Sequence, residues 1–565
     1  MNRRRSLLAA AILLALLTLL MAPLARMMTE GRDESSAKDA EHMIKPMLEL
    51  LKQSPQTTAN TPVEPMMEIE DVWAIEDTRE ESGGNALVTG MRSGDNELGF
   101  DAESNTFYCT LGMGEGDDWP ELSIFAKPAE GKENLRVAWI DDYTYDWRSE
   151  AIAEGYRYEL LVYTDTEYAY FGLVFTGLPV VTLHVDGGRE AIGDEYVPAR
   201  MSVSSAEYDA VSSGIWIHLR GGGYDKGNDK YSYRVEFHEQ SSGRDKKAEV
   251  SLLGMEADTD WLLISNNSDE TGGMRNHLCW ELWNMWNPDG DALMLLGSRM
   301  VEVFVDDEYR GMYQLMQRVD PEKEIERLGG DSRTDYTYRI IRNIGIEERP
   351  VHFGGGRWYE LRHKPQSTGE EQQFDKILNY IEMNTWVNEE TLRELVGEWI
   401  DMPALMNYFA FMQAADLGYE NVDNNLYIYA LRQSDGRYHY YLAPWDMDNG
   451  LPGGQGTPEE AAGMNLMMRM PYRILNLNLQ DSRRIYYEIW NEKRATILSD
   501  DALYQWFEYW ESYINRSGAY ARESEKWWGG ASTLSLQLFS NNMISSMSVL
   551  DRQMYDLWPY GDRDE

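Results

Sequence analysis

Asp416-Leu-Gly-Tyr-Glu-Asn-Val-Asp-Asn-Asn425 leads into Leu426-Tyr-Ile-Tyr-Ala-Leu431. After Ser434-Asp-Gly436 the chain returns through Arg437-Tyr-His-Tyr-Tyr-Leu442 to Pro444-Trp-Asp-Met-Asp448. Two apolar-aromatic runs around a Ser-Asp-Gly turn read as a β-hairpin. With its centre near Ser434 and Asp435, position 446 faces roughly position 423. Strand alternation would put Asp446 and Asp448 on one face and Met447 on the other. Six carboxylate or amide residues fall between 416 and 425. Carboxylates and an amide oxygen converging on one point repel each other unless a hard cation sits among them, and Mg²⁺, Mn²⁺ or Ca²⁺ would satisfy them. In so acidic a chain, a solvated acidic loop is the competing reading.

The elements before this hairpin are mixed. Leu160-Leu-Val-Tyr-Thr164 and Tyr168 to Phe175 read as strands around Asp165-Thr-Glu167. They belong to a small β-rich domain over 71–175 whose aromatics a packed core explains. Further strands follow at Leu178 to Val185, Gly214 to Arg220 and Tyr231 to Phe237, then a hairpin over Met300 to Leu315 turning at Asp306-Asp307. Helices dominate after 365. Thr368-x-x-Glu371 has capping-box form before Phe374, Ile377, Leu378 and Ile381. Leu392, Leu395, Val396 and Trp399 share a helical face. Asp401, with Pro403 in the first turn, caps a third helix running to Ala415. The region 470–555 reads as mostly helical.

Bulk properties set limits. A length of 565 residues predicts two or three folded units. Net charge is −44, from 52 basic and 96 acidic side chains, which repels nucleic acid and excludes it as a general partner. A phosphate-bearing substrate would need a local Lys or Arg cluster, or a metal, to overcome that field. Cys109 and Cys279 permit one disulfide or two buried thiols, and no zinc spacing exists. Arg3, Arg4 and Arg5 precede an apolar run from Ser6 to Ala25. Residues 1–26 therefore read as a signal peptide or an uncleaved membrane anchor, placing the rest outside the cytoplasm. Residues 27–70 read as a linker, with an amphipathic helix around Ala40 to Leu51.

Asp416 and Asn421 have D-x-x-x-x-N spacing. Protein kinases place a catalytic Asp and a metal-binding Asn in that spacing, and a second metal-binding Asp after a hairpin. A series of blocks in order resembles the CotH kinase family, an atypical protein-kinase-like fold. They are Leu178-Pro-Val-Val181; Leu219-Arg-Gly-Gly-Gly223 followed by Lys230-Tyr-Ser-Tyr-Arg234; Leu253-Gly-Met255 with Asp260 to Ile264 and Asp269 to Asn276; Val303 to Tyr313; Tyr359 to Pro365; Ile400-Asp-Met402; and Asn425 to Asp448.

The resemblance implies an α+β, two-lobed kinase-like domain over 176–530, with a β-rich N-lobe, a helical C-lobe and a helical extension over 531–565. It implies transfer of phosphate from ATP to protein Ser or Thr hydroxyls with Mg or Mn. Matched by position, Asn425, Asp446 and Asp448 would bind metal, Asp423 or Asp416 would be the catalytic acid–base, and Lys230 with Arg220 would meet the phosphates. Gly223-Tyr-Asp departs from the family's usual Gly-Asn-Ser. Gln317 stands where an acidic residue is common, so a lysine–glutamate pair is not expected from that block. Two other classes compete. One is a non-catalytic envelope or surface-binding protein on the same fold, with Ca²⁺ or solvent in the acidic loop. The other is a glycoside hydrolase using paired carboxylates, disfavoured by the lack of βα alternation.

Overall fold

The structure is a computed structural model. It describes residues 61–559 apart from 65–66, 84–85, 114–118, 120–121, 133, 141–146, 221–228, 240–245, 266–270, 291, 293, 343–351, 354–356, 366–378, 381–382, 385–386, 418–424, 453–468 and 531–532. The signal or anchor over 1–26, the helix expected around Ala40 to Leu51 and the Thr368 capping box lie outside the described residues. Among the described residues no helix is long and apolar enough to cross a membrane.

Ten strands form the first sheet: β1 (Thr61–Glu64), β2 (Glu80–Glu81), β3 (Val88–Ser93), β4 (Asn96–Glu97), β5 (Gly99–Asp101), β6 (Thr106–Thr110), β7 (Ile124–Pro128), β8 (Arg136–Trp139), β9 (Arg157–Tyr163) and β10 (Glu167–Thr176). Their order is β4-β3-β7-β1-β8-β9-β10-β6-β5, with β2 paired to β10. The β9–β10 hairpin turns at the expected Asp165-Thr-Glu, with Tyr168 opposite Tyr163. Leu160, Val162, Phe171 and Leu173 alternate onto one buried face. One expectation is corrected here. Residues 61–64, read as linker, form a strand between β7 and β8, and a helix, α1 (Ile69–Thr78), follows. A four-residue strand is too short to show period-2 patterning, so a polar linker reading is what sequence alone permits.

Seven strands then close a barrel: β11 (Val180–Val185), β12 (Val197–Ser204), β13 (Val211–Leu219), β14 (Tyr233–Phe237), β15 (Asp260–Ile264), β16 (Ser298–Val305) and β17 (Glu308–Gln317). All pairs are antiparallel except β11 with β16, which closes the barrel in parallel. The β16–β17 turn is Asp306-Asp307, both with positive φ (47° and 62°), the geometry of a type I′ hairpin. The interior holds Val181, Leu183, Ile217, Val235, Trp261, Val303 and Leu315, all fully buried.

The remainder mixes helices with a five-stranded sheet. Its strands are β18 (Tyr336–Arg342), β19 (His352–Phe353), β20 (Arg357–His363), β21 (Leu426–Arg432) and β22 (Tyr438–Pro444), in the order β19-β20-β18-β21-β22. The principal helices are α3 (Arg275–Trp286), α5 (Glu389–Trp399), α6 (Met402–Ala414), α8 (Ser482–Ala495), α9 (Asp500–Arg516), α10 (Ala519–Trp527) and α11 (Gln537–Leu557); α2 (Arg148–Glu154), α4 (Pro321–Arg327) and α7 (Arg469–Leu477) are shorter. The expected stripe Leu392, Leu395, Val396 and Trp399 is buried in α5. Asp401 caps α6 by accepting from the Ala404 amide at 2.9 Å. The core of this part joins Trp280, Trp283 and Trp286 of α3 to Phe409 and Phe411 of α6 and Trp490 of α8. Cys109 and Cys279 are both buried and free, so of the two cysteine readings the structure has two thiols.

Candidate functional site

The C-terminal end of α6 delivers Asp416. The Leu417 amide bonds the Met412 carbonyl at 3.0 Å and the Asp416 amide bonds the Gln413 carbonyl at 3.3 Å. That is a Schellman ending, and Asp416 occupies the left-handed position (φ 53°) usually filled by glycine. Asp is one of the few non-glycine residues that tolerates it, at a cost of roughly 1 kcal/mol. Asp423 lies outside the described residues.

The β21–β22 hairpin pairs Leu426 with Pro444, one residue out from the expected register. The Gln433 amide bonds the Arg437 carbonyl, and Gly436 sits at φ 85°. The loop is therefore three residues centred on Asp435 rather than two centred between Ser434 and Asp435. The strand also ends at Pro444, and Asp446 turns into left-handed backbone (φ 54°), so strand alternation does not reach it. Asp446 is half-buried, Met447 is fully buried and Asp448 is exposed.

The segment 445–451 is tied down at three points. The Trp445 amide bonds the Asn425 carbonyl at 2.9 Å. The Met447 amide donates to Asn276 Oδ1 of α3 at 2.8 Å. The Leu451 amide bonds the Ala415 carbonyl, at the end of α6, at 2.6 Å. A Cβ on Gly450 would lie 2.5 Å from Cys279 Sγ and 2.7 Å from Leu417 Cδ2, so only glycine fits the loop between α3 and the α6 end. Asn276 is itself fixed by a buried chain: its Nδ2 donates to Gln314 Oε1 at 2.7 Å, Gln314 donates to Ser298 at 2.8 Å, and Ser298 meets His277 Nδ1 at 2.8 Å. Burial holds the His277 pKa down at about 3, so this chain stays uncharged at neutral pH.

Around Asp446 the contacts close into a ring. Arg220, just past β13, lies 3.8 Å from Asp446 Oδ1 and over the Trp445 ring at 5.7 Å. Trp445 meets Tyr427 edge-on at 5.9 Å. Arg339 of β18 lies over Tyr427 at 6.0 Å, and its Nη2 is 3.4 Å from Asn425 Oδ1. Asn425, buried and with φ 48°, completes the ring beside Trp445. Asp416, Asn425 and Asp446 thus all hold left-handed backbone, a conformation that clusters at functional sites.

Lys230 has a different setting. It is 2% exposed, and its ammonium donates to Glu523 Oε1 at 2.6 Å and to the Met312 carbonyl at 2.8 Å. Glu523, on α10, also accepts from the Met312 amide at 2.7 Å. A Cβ on Gly311 would collide with the Glu523 carboxylate, so the Arg310-Gly-Met312 stretch of β17 leaves room for it. Burial lowers the Lys230 pKa and raises that of Glu523, and their mutual attraction opposes both shifts. A lysine–glutamate pair is therefore present, with its acid drawn from α10 rather than from the Gln317 position. Next to it, Arg522 bonds Glu302 Oε1 at 2.9 Å and Oε2 at 2.8 Å and Thr176 Oγ1 at 2.9 Å.

The structure brings Arg220, Asn425 and Asp446 together, sets Asp416 at the adjoining helix end, exposes Asp448 and buries Lys230 against α10. Sequence reasoning missed Arg339, Asn276 and Glu523. Asn276 stood inside a quoted block and could have been found; Arg339 and Glu523 lie on elements with no motif. Among the described residues, no group of three or more His, Cys, Asp or Glu is arranged to hold a metal. Asn425 and Asp446 still offer hard oxygen donors and neither thiolate nor imidazole, which is the donor chemistry of Mg²⁺ or Mn²⁺ sites completed by phosphate and water.

These features define a mixed α+β protein whose β-barrel and helical parts meet at an amide–carboxylate pair flanked by arginines. The sequence matches the CotH kinase protein family over residues 217–544. That is more than half of the chain, and the chain belongs to this family. Membership implies a kinase-like fold and use of ATP. No curated protein matches it.

Proposed function

We propose that this chain is an exported or membrane-anchored protein kinase that transfers the terminal phosphoryl group of ATP to Ser or Thr hydroxyls of another protein, with a divalent metal. The observation that carries the reading is the return of Asp446 to Asn425 by one hairpin, with two guanidinium groups alongside. In a chain of net charge −44, that is the local positive field a phosphate substrate requires. Export rests on Arg3 to Arg5 and the apolar run behind them.

In the reaction the acceptor oxygen forms a bond to the terminal phosphorus, and the bond from that phosphorus to its bridging oxygen breaks. The electron pair leaves with ADP, and the hydroxyl proton passes to a carboxylate, Asp423 or Asp416. Such chemistry needs positioning and charge stabilisation more than covalent help. Asn425 and Asp446, with Asp448 next to them, would hold the metal, which would offset the charge on the terminal phosphates. Asn276 and the Asn425 carbonyl fix the peptide on either side of Asp446, so its carboxylate is aimed by a rigid frame. Arg220, which directly precedes Gly221-Gly-Gly223 in the sequence, would meet a phosphate.

Labelled ATP with Mg²⁺ or Mn²⁺ and a mixture of extracytoplasmic proteins gives the test. Phosphate should enter protein hydroxyls with the parent chain and not with Asp446→Ala; full activity in that variant would end the assignment. One observation favours a second reading, a non-catalytic surface-binding protein on the same fold: Lys230, the lysine matched to the phosphates, is only 2% exposed.

A further inference from the structure

The arginines on and around this sheet are not equivalent. Arg220 has Asp446 at 3.8 Å, Arg362 has Glu360 at 3.2 Å, and Arg318 has Asp260 at 3.7 Å. Arg339 has no carboxylate within ion-pair distance among the described residues. Its polar contact is the neutral Asn425 oxygen at 3.4 Å, its Nε has no hydrogen-bond partner, and an aromatic ring covers it. A half-buried guanidinium with no carboxylate in ion-pair contact among the described residues is costly. Burial pulls the Arg339 pKa down; Tyr427 and Asp446 act to raise it, and Arg362 and Arg220 to lower it. The group stays charged regardless, because arginine does not deprotonate in proteins. The register fixes its place: Arg339 lies opposite Tyr427 on one side and Glu360 on the other, in the middle of the sheet that carries Asn425.

We propose that Arg339 is a phosphate-binding residue of this site, receiving the terminal phosphate oxygens of the nucleotide beside Asn425. Its planar fork matches two phosphate oxygens at once, and its Nε is a buried donor with no partner of its own. The charge that spreads over those oxygens as the phosphoryl group moves then meets the Arg339 guanidinium as a counter-charge. This rests on the kinase reading above and adds the residue that meets the transferred group.

Binding of ATP and of adenosine to the full chain, measured by titration calorimetry with Mg²⁺, tests it. In Arg339→Gln the ATP affinity should fall about tenfold or more, the loss of a charge-assisted contact, while adenosine affinity is unchanged. Arg339→Lys should recover part of the loss. Should the Gln variant fail to fold, the Lys variant carries the test, since its compact head cannot reproduce the fork. A substituted chain that prefers ATP over adenosine as strongly as the parent overturns the Arg339 assignment alone. A parent chain with no preference for ATP overturns the kinase reading, and this inference with it.

Discussion

Glu523→Gln should destabilise the protein by about 3 kcal/mol or more. Glu523 and Lys230 are 1% and 2% exposed, and their charges meet at 2.6 Å. Removing one charge of such a pair leaves the other buried and uncompensated, a cost of roughly 3–5 kcal/mol. The Gln amide keeps one oxygen, so it can still accept from either the Met312 amide or the ammonium; the value belongs at the lower end. Glu523→Ala, which strands both donors, should cost more. The double variant Lys230→Met/Glu523→Gln removes the stranded charge and should recover much of the loss. Denaturant midpoints followed by tryptophan fluorescence give the ranking, and amide exchange in α10 shows where it acts. Two results would refute the reasoning: a Gln variant within about 0.5 kcal/mol of the parent, or a double variant as unstable as the two single losses summed.

Three other outcomes follow from the geometry. Gly450→Ala should weaken nucleotide binding while leaving the far β-sheet intact, because its Cβ meets Cys279 and Leu417 and displaces the Asp446 segment; amide exchange with and without ATP checks this. Cys109 and Cys279 should react with a thiol reagent only after unfolding, since both are buried and burial raises the Cys109 pKa to about 12. The contact between β4 and the barrel should be pH-dependent. Burial opposes it, but bonds from His184 and Ser202 hold the Glu97 pKa at about 2, and the His184 pKa is raised from 6.5, chiefly by Glu97. The acid's contribution is present above 4.5 and lost toward 2; that of the imidazole is full below 6.5 and lost as pH climbs through its raised pKa. The destabilisation caused by His184→Gln should therefore be greatest between pH 4.5 and 6.5. It should stay below about 1 kcal/mol, because His184 is partly exposed, and an equal effect at pH 8.5 would contradict it.

The hairpins were legible because local chemistry writes them. Asp306-Asp307 announces a two-residue turn, and alternating aromatics announce β21 and β22. The one-residue slip at Asp446 came from Gly436, whose left-handed backbone adds a third residue to the loop. What could not be read depends on tertiary approach. Glu523 reaches Lys230 across 293 positions, and only the missing Cβ of Gly311 hints that a side chain lies against β17. Arg339 looks like any strand arginine until its contact with Asn425 and its unpartnered Nε are seen in three dimensions. The carboxylate-rich stretch around Asp423 carried the strongest sequence signal and lies outside the described residues.

The barrel begins before the matched range does. β11 and β12 precede residue 217, yet β11 is the stave that joins β16 and closes the ring. A fragment cut at 217 would lose both strands and most of β13, leaving β14 and β16 with bare amide and carbonyl rows. Open edges of that kind recruit other chains and drive aggregation. Recombinant work that trims this protein to its recognisable region should yield insoluble material, whereas a start ahead of Val180 preserves the hoop.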